Sequence, residues 1–144
     1  MQDHSKNYAM MQPIPPKLET VINPNEKIIC SFKGDWLDYG IGGKTRIGMW
    51  VITDQFVHFM GKVSLWDVGT EMGDQVRHIP ITDIKNVNIK GKTIDFSFIK
   101  DHSKPHKISK RGMTVKRLSG EPKDFRKQRR NDIYRVLYEL VFQQ

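Results

Sequence analysis

Apolar and polar residues alternate through most of residues 26–118, and this period of two is typical of half-buried β-strands. In the first such stretch, Ile28, Cys30 and Phe32 fall on one face. This stretch and the later alternating segments together predict about seven short antiparallel strands. The later segments are residues 44–53, 56–60, 78–81, 84–89, 93–99, 107–109 and 113–118.

Glycines and other turn residues separate these strands. Residues 34–43 hold four glycines around Trp36 and Tyr39, which predicts a long loop whose two aromatic side chains either pack in the core or remain exposed. Residues 61–75 form a polar excursion in which one more short strand, 63–68, is predicted. Trp50 and Trp66 are interpreted as structural residues.

The N-terminal part of the chain lacks both periodicities. Residues 1–25 combine Pro13, Pro15, Pro16 and Pro24 with polar residues and methionines. Such a composition favours a flexible leader that adds little to the core and is dispensable for folding. The folded domain is then predicted to cover residues 26–144.

The hydrophobic period changes near the C-terminus. Pro122 is well placed at a helix start, and the apolar residues that follow recur at the spacing of one helical face. A helix over residues 122–142 is therefore predicted to pack on the sheet. Strands followed by one helix predict an α+β, mostly β domain, in which about seven strands form a bent antiparallel sheet or barrel capped by the C-terminal α-helix. The apolar face consists of Ile133, Val136, Leu137, Leu140 and Val141.

Two blocks of the sequence resemble the GRAM and PH-like domains. Residues 48–54 (GMWVITD), followed by Val57 and Phe59, resemble a GRAM-type hairpin, and residues 78–84 (HIPITDI), followed by Val87, resemble the next segment of those domains. The resemblance covers residues 26–141. It implies the PH superfold, a seven-stranded bent barrel capped by a helix, and a non-catalytic module that binds phosphoinositides, other lipids or protein segments.

The net charge of +8 lies in one part of the chain. Residues 100–132 contain 12 Lys or Arg and 4 Asp or Glu, whereas the other residues are balanced. A clustered surplus favours an anionic partner, although a solvated helix face that aids solubility has the same pattern. The candidate anion-binding residues of this segment are Lys116, Arg117, Lys123, Arg126, Lys127 and Arg130.

A second candidate site follows from the resemblance. Lys33, Lys44 and Arg46 are similar to the arrangement with which some PH domains hold inositol phosphates. Lys44 and Arg46 share a face of an alternating strand, and Lys33 lies across the predicted hairpin. Asp35 and Asp38 in the same loop repel phosphate, so the C-terminal segment is the favoured site.

No catalytic, metal or cofactor motif was found in the sequence. His102 and His106 have a helical ligand spacing, but Pro105 between them disfavours a helix. Cys30 is the only cysteine and no apolar run approaches the ~20 residues of a bilayer span, so we predict a soluble, cytoplasmic protein without disulfides, metal or cofactor.

The function predicted from the sequence is therefore that of a non-catalytic binding module of PH or GRAM type. Its ligand is predicted to be a protein segment or an anionic, phospholipid-like surface. The alternative is a nucleic-acid-binding protein that uses the basic segment of residues 100–130.

Overall fold

A computed structural model describes residues 10–39, 45–65 and 70–143 of the chain. Two α-helices lie at the ends of this part of the chain, α1 (Pro16–Glu19) and α2 (Lys123–Phe142), and a short 3₁₀ helix covers Ile81–Asp83. Seven strands lie between the helices. They are β1 (Ile28–Asp38), β2 (Thr45–Thr53), β3 (Phe56–Leu65), β4 (Thr70–Pro80), β5 (Ile84–Lys90), β6 (Thr93–Ile99) and β7 (Ile108–Thr114).

The strands form one antiparallel sheet in the order β4–β3–β2–β1–β7–β6–β5. β1 lies in the middle and pairs with β2 along its length, and with β7 over residues 36–38. Among the described strands, β4 and β5 are the two edges. The sheet is therefore open rather than closed into a barrel. The mostly β fold with a C-terminal helix that the sequence predicts is confirmed.

The sheet is strongly bent around an aromatic core. Trp50 of β2 and Phe96 of β6 lie in strands three positions apart, which a flat sheet would separate by roughly 14 Å. Their ring centroids are only 6.1 Å apart. Because the two halves of the sheet face each other, their inward side chains and α2 share one hydrophobic cluster that also contains Cys30, as predicted for a buried strand residue.

Helix α2 packs on β5 and the 3₁₀ helix through the predicted apolar face. Ile133 and Leu137 are fully buried, and Leu140 and Val141 are half-buried at the edge of the same cluster. The predicted helix and its orientation toward the sheet are thus confirmed.

The expectation that the N-terminal segment adds little to the core does not hold for residues 10–25. Leu18 of α1 is fully buried against Met49 and Val51 on the outer face of β2. The side-chain amide oxygen of Gln12 also accepts a hydrogen bond of 3.0 Å from the backbone N–H of Lys33. We name residues 10–26 the N-terminal strap. Residues 1–9 lie outside the described residues.

Two predicted loops are partly strand. Residues 34–38 continue β1, and Gly34 lies opposite Gly48 of β2 in the register. A Cβ atom at Gly34 would lie 1.8 Å from the carbonyl oxygen of Thr114. Much of the 61–75 excursion extends the hairpin of β3 and β4, with a register shift between residues 62 and 63. Residues 66–69, including Trp66, lie outside the described residues.

The two short strands predicted at 107–109 and 113–118 are a single strand in the structure. Arg111 and Gly112, which lie between the two predicted strands, pair with Phe96 and Asp95 of β6 inside β7. β7 ends at Thr114. This strand carries Arg111 into the middle of the sheet rather than to a turn at its rim.

Candidate functional site

A cavity of about 380 Å³ opens between β4 and the end of β6. The chain contributes to its wall from β1, β4, the 3₁₀ helix, β6 and β7. Besides His78, the wall includes three cationic residues, two aromatic residues and one acidic residue, so its charge is net positive. These residues are Arg77, Lys100, Arg111, Trp36, Phe98 and Asp83. We name this site the cationic cavity.

Arg77 reaches the cavity because it occupies an inward position of β4. It lies two residues before Ile79, which is buried in the core, and alternate residues of a strand share a face. The guanidinium carbon of Arg77 lies 5.4 Å from the ring centroid of Trp36. A guanidinium over an indole is held by a cation–π interaction and by stacking, which fixes its position.

Arg111, another residue of the cavity wall, is held in place by Asp38. Its Nε donates to Asp38 Oδ1 at 2.8 Å, and its guanidinium lies 5.8 Å from the ring centroid of Phe98. The same carboxylate oxygen accepts a hydrogen bond of 2.7 Å from Trp36 Nε1. Asp38 therefore connects two residues of the cavity wall. Asp38 was predicted to repel an anion bound near Lys44, whereas in the structure its carboxylate binds Arg111.

A smaller groove lies beside the cationic cavity, along the connection between β6 and β7. It has a volume of about 290 Å³ and shares Lys100 with the cavity. Lys104 and Lys107 in its wall are exposed, as is Asp101. The cavity and the groove thus form one continuous, positively charged surface, and Lys100 lies where they meet.

The basic residues predicted around α2 differ in what they contact. Lys123 and Lys127 are exposed on the helix. Arg117 Nε donates to the carbonyl oxygen of Glu121 at 2.8 Å, and a terminal nitrogen of Arg130 donates to the carbonyl oxygen of Gly91. The two arginines are therefore partly engaged by the protein's own backbone.

The remaining predicted residues fall near α2 or on the hairpin of β1 and β2. Arg126 is half-buried on α2. Lys116 and Lys33 are brought together, because the backbone N–H of Lys116 donates to the carbonyl oxygen of Lys33 at 3.0 Å. Lys33 of β1 lies opposite Met49 of β2, and Arg46 of β2 lies opposite Trp36 of β1. Lys33 and Arg46 are therefore not directly opposite each other in the hairpin. Lys44 lies outside the described residues.

Neither Arg77 nor the cavity itself is predicted from the sequence. The predicted strand of residues 78–81 begins one residue after Arg77, so the alternation of Arg77 with Ile79 falls outside it. The sequence signal for an inward-facing Arg77 is its position two residues before the apolar Ile79. Trp36 is 2% exposed and is a core residue, whereas Tyr39 is exposed and its hydroxyl donates to Asp95 Oδ1 at 2.6 Å.

No family model matches the sequence, and no curated protein is similar to it in sequence. Solved structures do match the fold. One, of N-terminally truncated linker-DH/PH domains of p115-RhoGEF, is 8% identical with a TM-score of 0.54, and the match covers 92% of this chain and 35% of the other. The DH/PH domains of the R399E mutant of p115-RhoGEF match at 11% identity and a TM-score of 0.51, covering 90% and 35%.

The chain has a PH-like fold, a bent seven-stranded antiparallel sheet with a C-terminal helix. The chain spans 35% of the length of each of the two solved chains above. Within residues 10–39, 45–65 and 70–143, no helix combines the length and apolarity needed to cross a bilayer.

Proposed function

We propose that this chain is a non-catalytic binding module of PH type and that it binds an anionic ligand in the cationic cavity. The observation that carries the proposal is the convergence of Arg77, Lys100 and Arg111 on one concave site. Charge-assisted hydrogen bonds from guanidinium groups suit phosphate and carboxylate oxygens in particular. A phosphorylated lipid headgroup at a membrane surface has the required chemistry.

The cavity is favoured over α2 because two of its three cations, Arg77 and Arg111, are held in place before a ligand arrives. Trp36 stacks with Arg77, and Asp38 fixes Arg111, so little side-chain freedom is lost on binding. On α2, the exposed Lys123 and Lys127 have no comparable restraint described. The groove with Lys104 and Lys107 adds positive charge at the cavity entrance, which attracts an anionic surface.

The proposal of a non-catalytic role rests on the side chains in the cavity wall. Among the described residues that line it, none carries a hydroxyl or a thiol that would act as a nucleophile. The Cys30 thiol is also a poor candidate nucleophile, because burial raises its pKa to about 12. Recognition of an anion needs only the cations and their supports, which the cavity provides.

The test compares two matched charge reversals, Lys100→Glu and Lys127→Glu. Both lysines are exposed and belong to the same basic segment, but only Lys100 lines the cavity and the groove. Binding is measured by co-sedimentation with phosphatidylcholine vesicles that contain phosphatidylserine or a phosphorylated inositol lipid, over a range of salt concentrations. Each lysine near an anionic surface contributes roughly 1 kcal/mol, so the charge reversal Lys100→Glu is expected to cost roughly 2 kcal/mol and to weaken binding by about thirtyfold.

Lys127→Glu is expected to bind nearly as the wild type does. If Lys127→Glu is the weaker binder, the ligand contacts α2 and the cavity is not the site. If single-stranded RNA binds with the same salt dependence as the vesicles and neither lipid is preferred, the nucleic-acid alternative is favoured. Absence of binding to vesicles and to RNA would leave a protein segment as the ligand and contradict the proposal.

A further inference from the structure

A chain of three ionisable side chains connects the N-terminal strap to the edge of the sheet. Glu26 Oε1 lies 2.7 Å from His58 Nε2, and His58 Nδ1 lies 2.6 Å from His78 Nδ1. The side chains of Glu26 and His58 are 2% and 3% exposed, whereas His78 is exposed on β4. The chain of contacts therefore runs from a buried carboxylate to an imidazole at the surface.

The surroundings of Glu26 fix it as a hydrogen-bond acceptor. Thr53 Oγ1 donates to Glu26 Oε1 at 2.6 Å, and the backbone N–H of Asn23 donates to Glu26 Oε2 at 2.8 Å. Burial raises the pKa of Glu26, but the hydrogen bonds from Thr53, His58 and Asn23 outweigh it, and the pKa lies below its ordinary value. Glu26 is therefore a carboxylate at neutral pH.

A carboxylate at this position determines where the protons of both histidines lie. His58 must carry a proton on Nε2 to donate to Glu26, so in its neutral form its Nδ1 is an acceptor. The 2.6 Å contact then requires that His78 donates from Nδ1. The Nε2 of neutral His78 is left as a lone pair on the exposed side of the ring, where a proton from solvent enters.

One added proton fits this arrangement. When His78 Nε2 takes it up, the proton between the two Nδ1 atoms remains a single proton, and the contact becomes charge-assisted. A second added proton does not fit, because both Nδ1 atoms would then carry hydrogen and face each other. Two imidazolium rings at this distance would also repel.

We propose that Glu26, His58 and His78 form a proton-limited latch, which accepts one proton with its contacts intact and loses the side-chain contact between β3 and the edge strand β4 on a second. The groups that face the latch come from the strap (Glu26 and the N–H of Asn23), β2 (Thr53), β3 (His58) and β4 (His78), and His78 also lines the cationic cavity with Arg77, Asp83, Lys100 and Arg111. Burial first, and then His58, lower the pKa of His78, whereas Glu26 acts in the opposite direction.

The latch makes the folded chain bind fewer protons than the unfolded chain in mildly acidic solution. An unfolded histidine has a pKa near 6.5, whereas burial lowers the pKa of His78 in the folded chain, and the close contact of the two Nδ1 atoms opposes a second proton. The latch therefore contributes stability that is fully present above about 6.5 and is lost as the pH falls below it. A difference of one proton changes the unfolding equilibrium constant by up to about tenfold per pH unit.

The test measures the unfolding equilibrium in urea between about pH 7.5 and pH 5 for the wild type, His78→Gln and His102→Gln. A glutamine amide either donates or accepts, so His78→Gln removes the conflict at His58 Nδ1. Its unfolding constant is expected to rise less steeply with acid than that of the wild type. His102 is exposed and contacts Asp83, outside the latch, so His102→Gln is expected to keep the wild-type slope.

Identical slopes for the wild type and His78→Gln would overturn the proposal. A second measurement needs no variant: ¹⁵N NMR of the imidazoles in the wild-type chain follows each ring through its titration. We expect the pair to take up its two protons in two separate steps, the second at a lower pH than the first. If the pair takes up both protons in a single step, the latch does not limit protonation.

Discussion

Both terminal nitrogens of Arg129 bind the carboxylate of Glu121, with an Nη1–Oε2 distance of 2.5 Å and an Nη2–Oε1 distance of 2.8 Å. The two side chains are 1% and 7% exposed. Arg129 Nη2 also donates to the carbonyl oxygen of Lys116, at 2.8 Å. This ion pair fastens the first half of α2 to the segment after β7, and it removes one arginine of the basic segment from the surface.

Loss of this ion pair should destabilise the fold. Glu121→Gln leaves the guanidinium of Arg129 buried without its counter-charge, and breaking a buried pair in this way costs about 3–5 kcal/mol. The free energy of unfolding in urea measures the loss. Glu139→Gln is the same change at an exposed position of α2 and should stay within about 0.5 kcal/mol of the wild type. Equal effects of the two substitutions would contradict the prediction.

The contribution of Glu121 should depend on pH. The hydrogen bond from Arg129 lowers the pKa of Glu121, against the opposing effect of burial. A carboxyl group with a lowered pKa contributes stability that is present above its ordinary value of 4.5 and is lost as the pH falls through the lowered value. The stability difference between the wild type and Glu121→Gln should therefore shrink in acid. A difference that stays constant from pH 7 to well below 4.5 would contradict this.

The N-terminal strap should be needed for full stability. Leu18 is fully buried, and Leu18→Ala should lower the free energy of unfolding by about 2–5 kcal/mol. Val21→Ala in the same segment is the control, because Val21 is 44% exposed. A chain that starts at Asn25 should melt below the full-length chain. Equal melting temperatures would restore the expectation that residues 1–25 are dispensable.

Leu137 should be one of the main contacts between α2 and the sheet. It is fully buried in the shared core, so Leu137→Ala should cost about 2–5 kcal/mol in the free energy of unfolding. Arg135→Ala changes an exposed residue two positions away and serves as the control. A loss below about 0.5 kcal/mol at Leu137 would show that the helix does not bury this face.

The Cys30 thiol should be unreactive in the folded protein. It is completely buried, and burial raises its pKa to about 12. Because the thiolate is the reactive form, a disulfide reagent should label Cys30 at pH 8 only after denaturant is added. Absorbance of the released thiol reports the labelling. Rapid labelling of the native protein would show that β1 and β2 open readily.

The sequence predicted the elements better than the site. The alternation of apolar and polar residues predicted most strands, and the helical spacing of apolar residues predicted α2. Both patterns could be recognised because each lies within a short stretch of sequence. The sequence does not predict the strap, because Ile14, Leu18 and Ile22 have the spacing of one helical face but lie among prolines. Their burial depends on an apolar outer face of β2 and β3, which alternation in those strands did not indicate.

The cationic cavity depends on contacts between distant strands. Trp36, Arg77 and Arg111 come from β1, β4 and β7, and no local spacing brings them together. The basic segment was predicted from charge counts alone, which treat the buried Arg129 and the exposed Lys127 alike. Only the register and the bend of the sheet distinguish arginines in the cavity wall from those on α2.

The position of β1 at the centre of the sheet has a kinetic consequence. Its second neighbour, β7, is the last strand made, and Asp35 donates its backbone N–H to Thr114 Oγ1 across 79 residues of chain. On the ribosome, the hairpins of the first half therefore emerge while one side of β1 has no strand beside it. The sheet completes its core only after β7 emerges, and pairing across so long a loop is a slow step that leaves a strand edge open to other nascent chains.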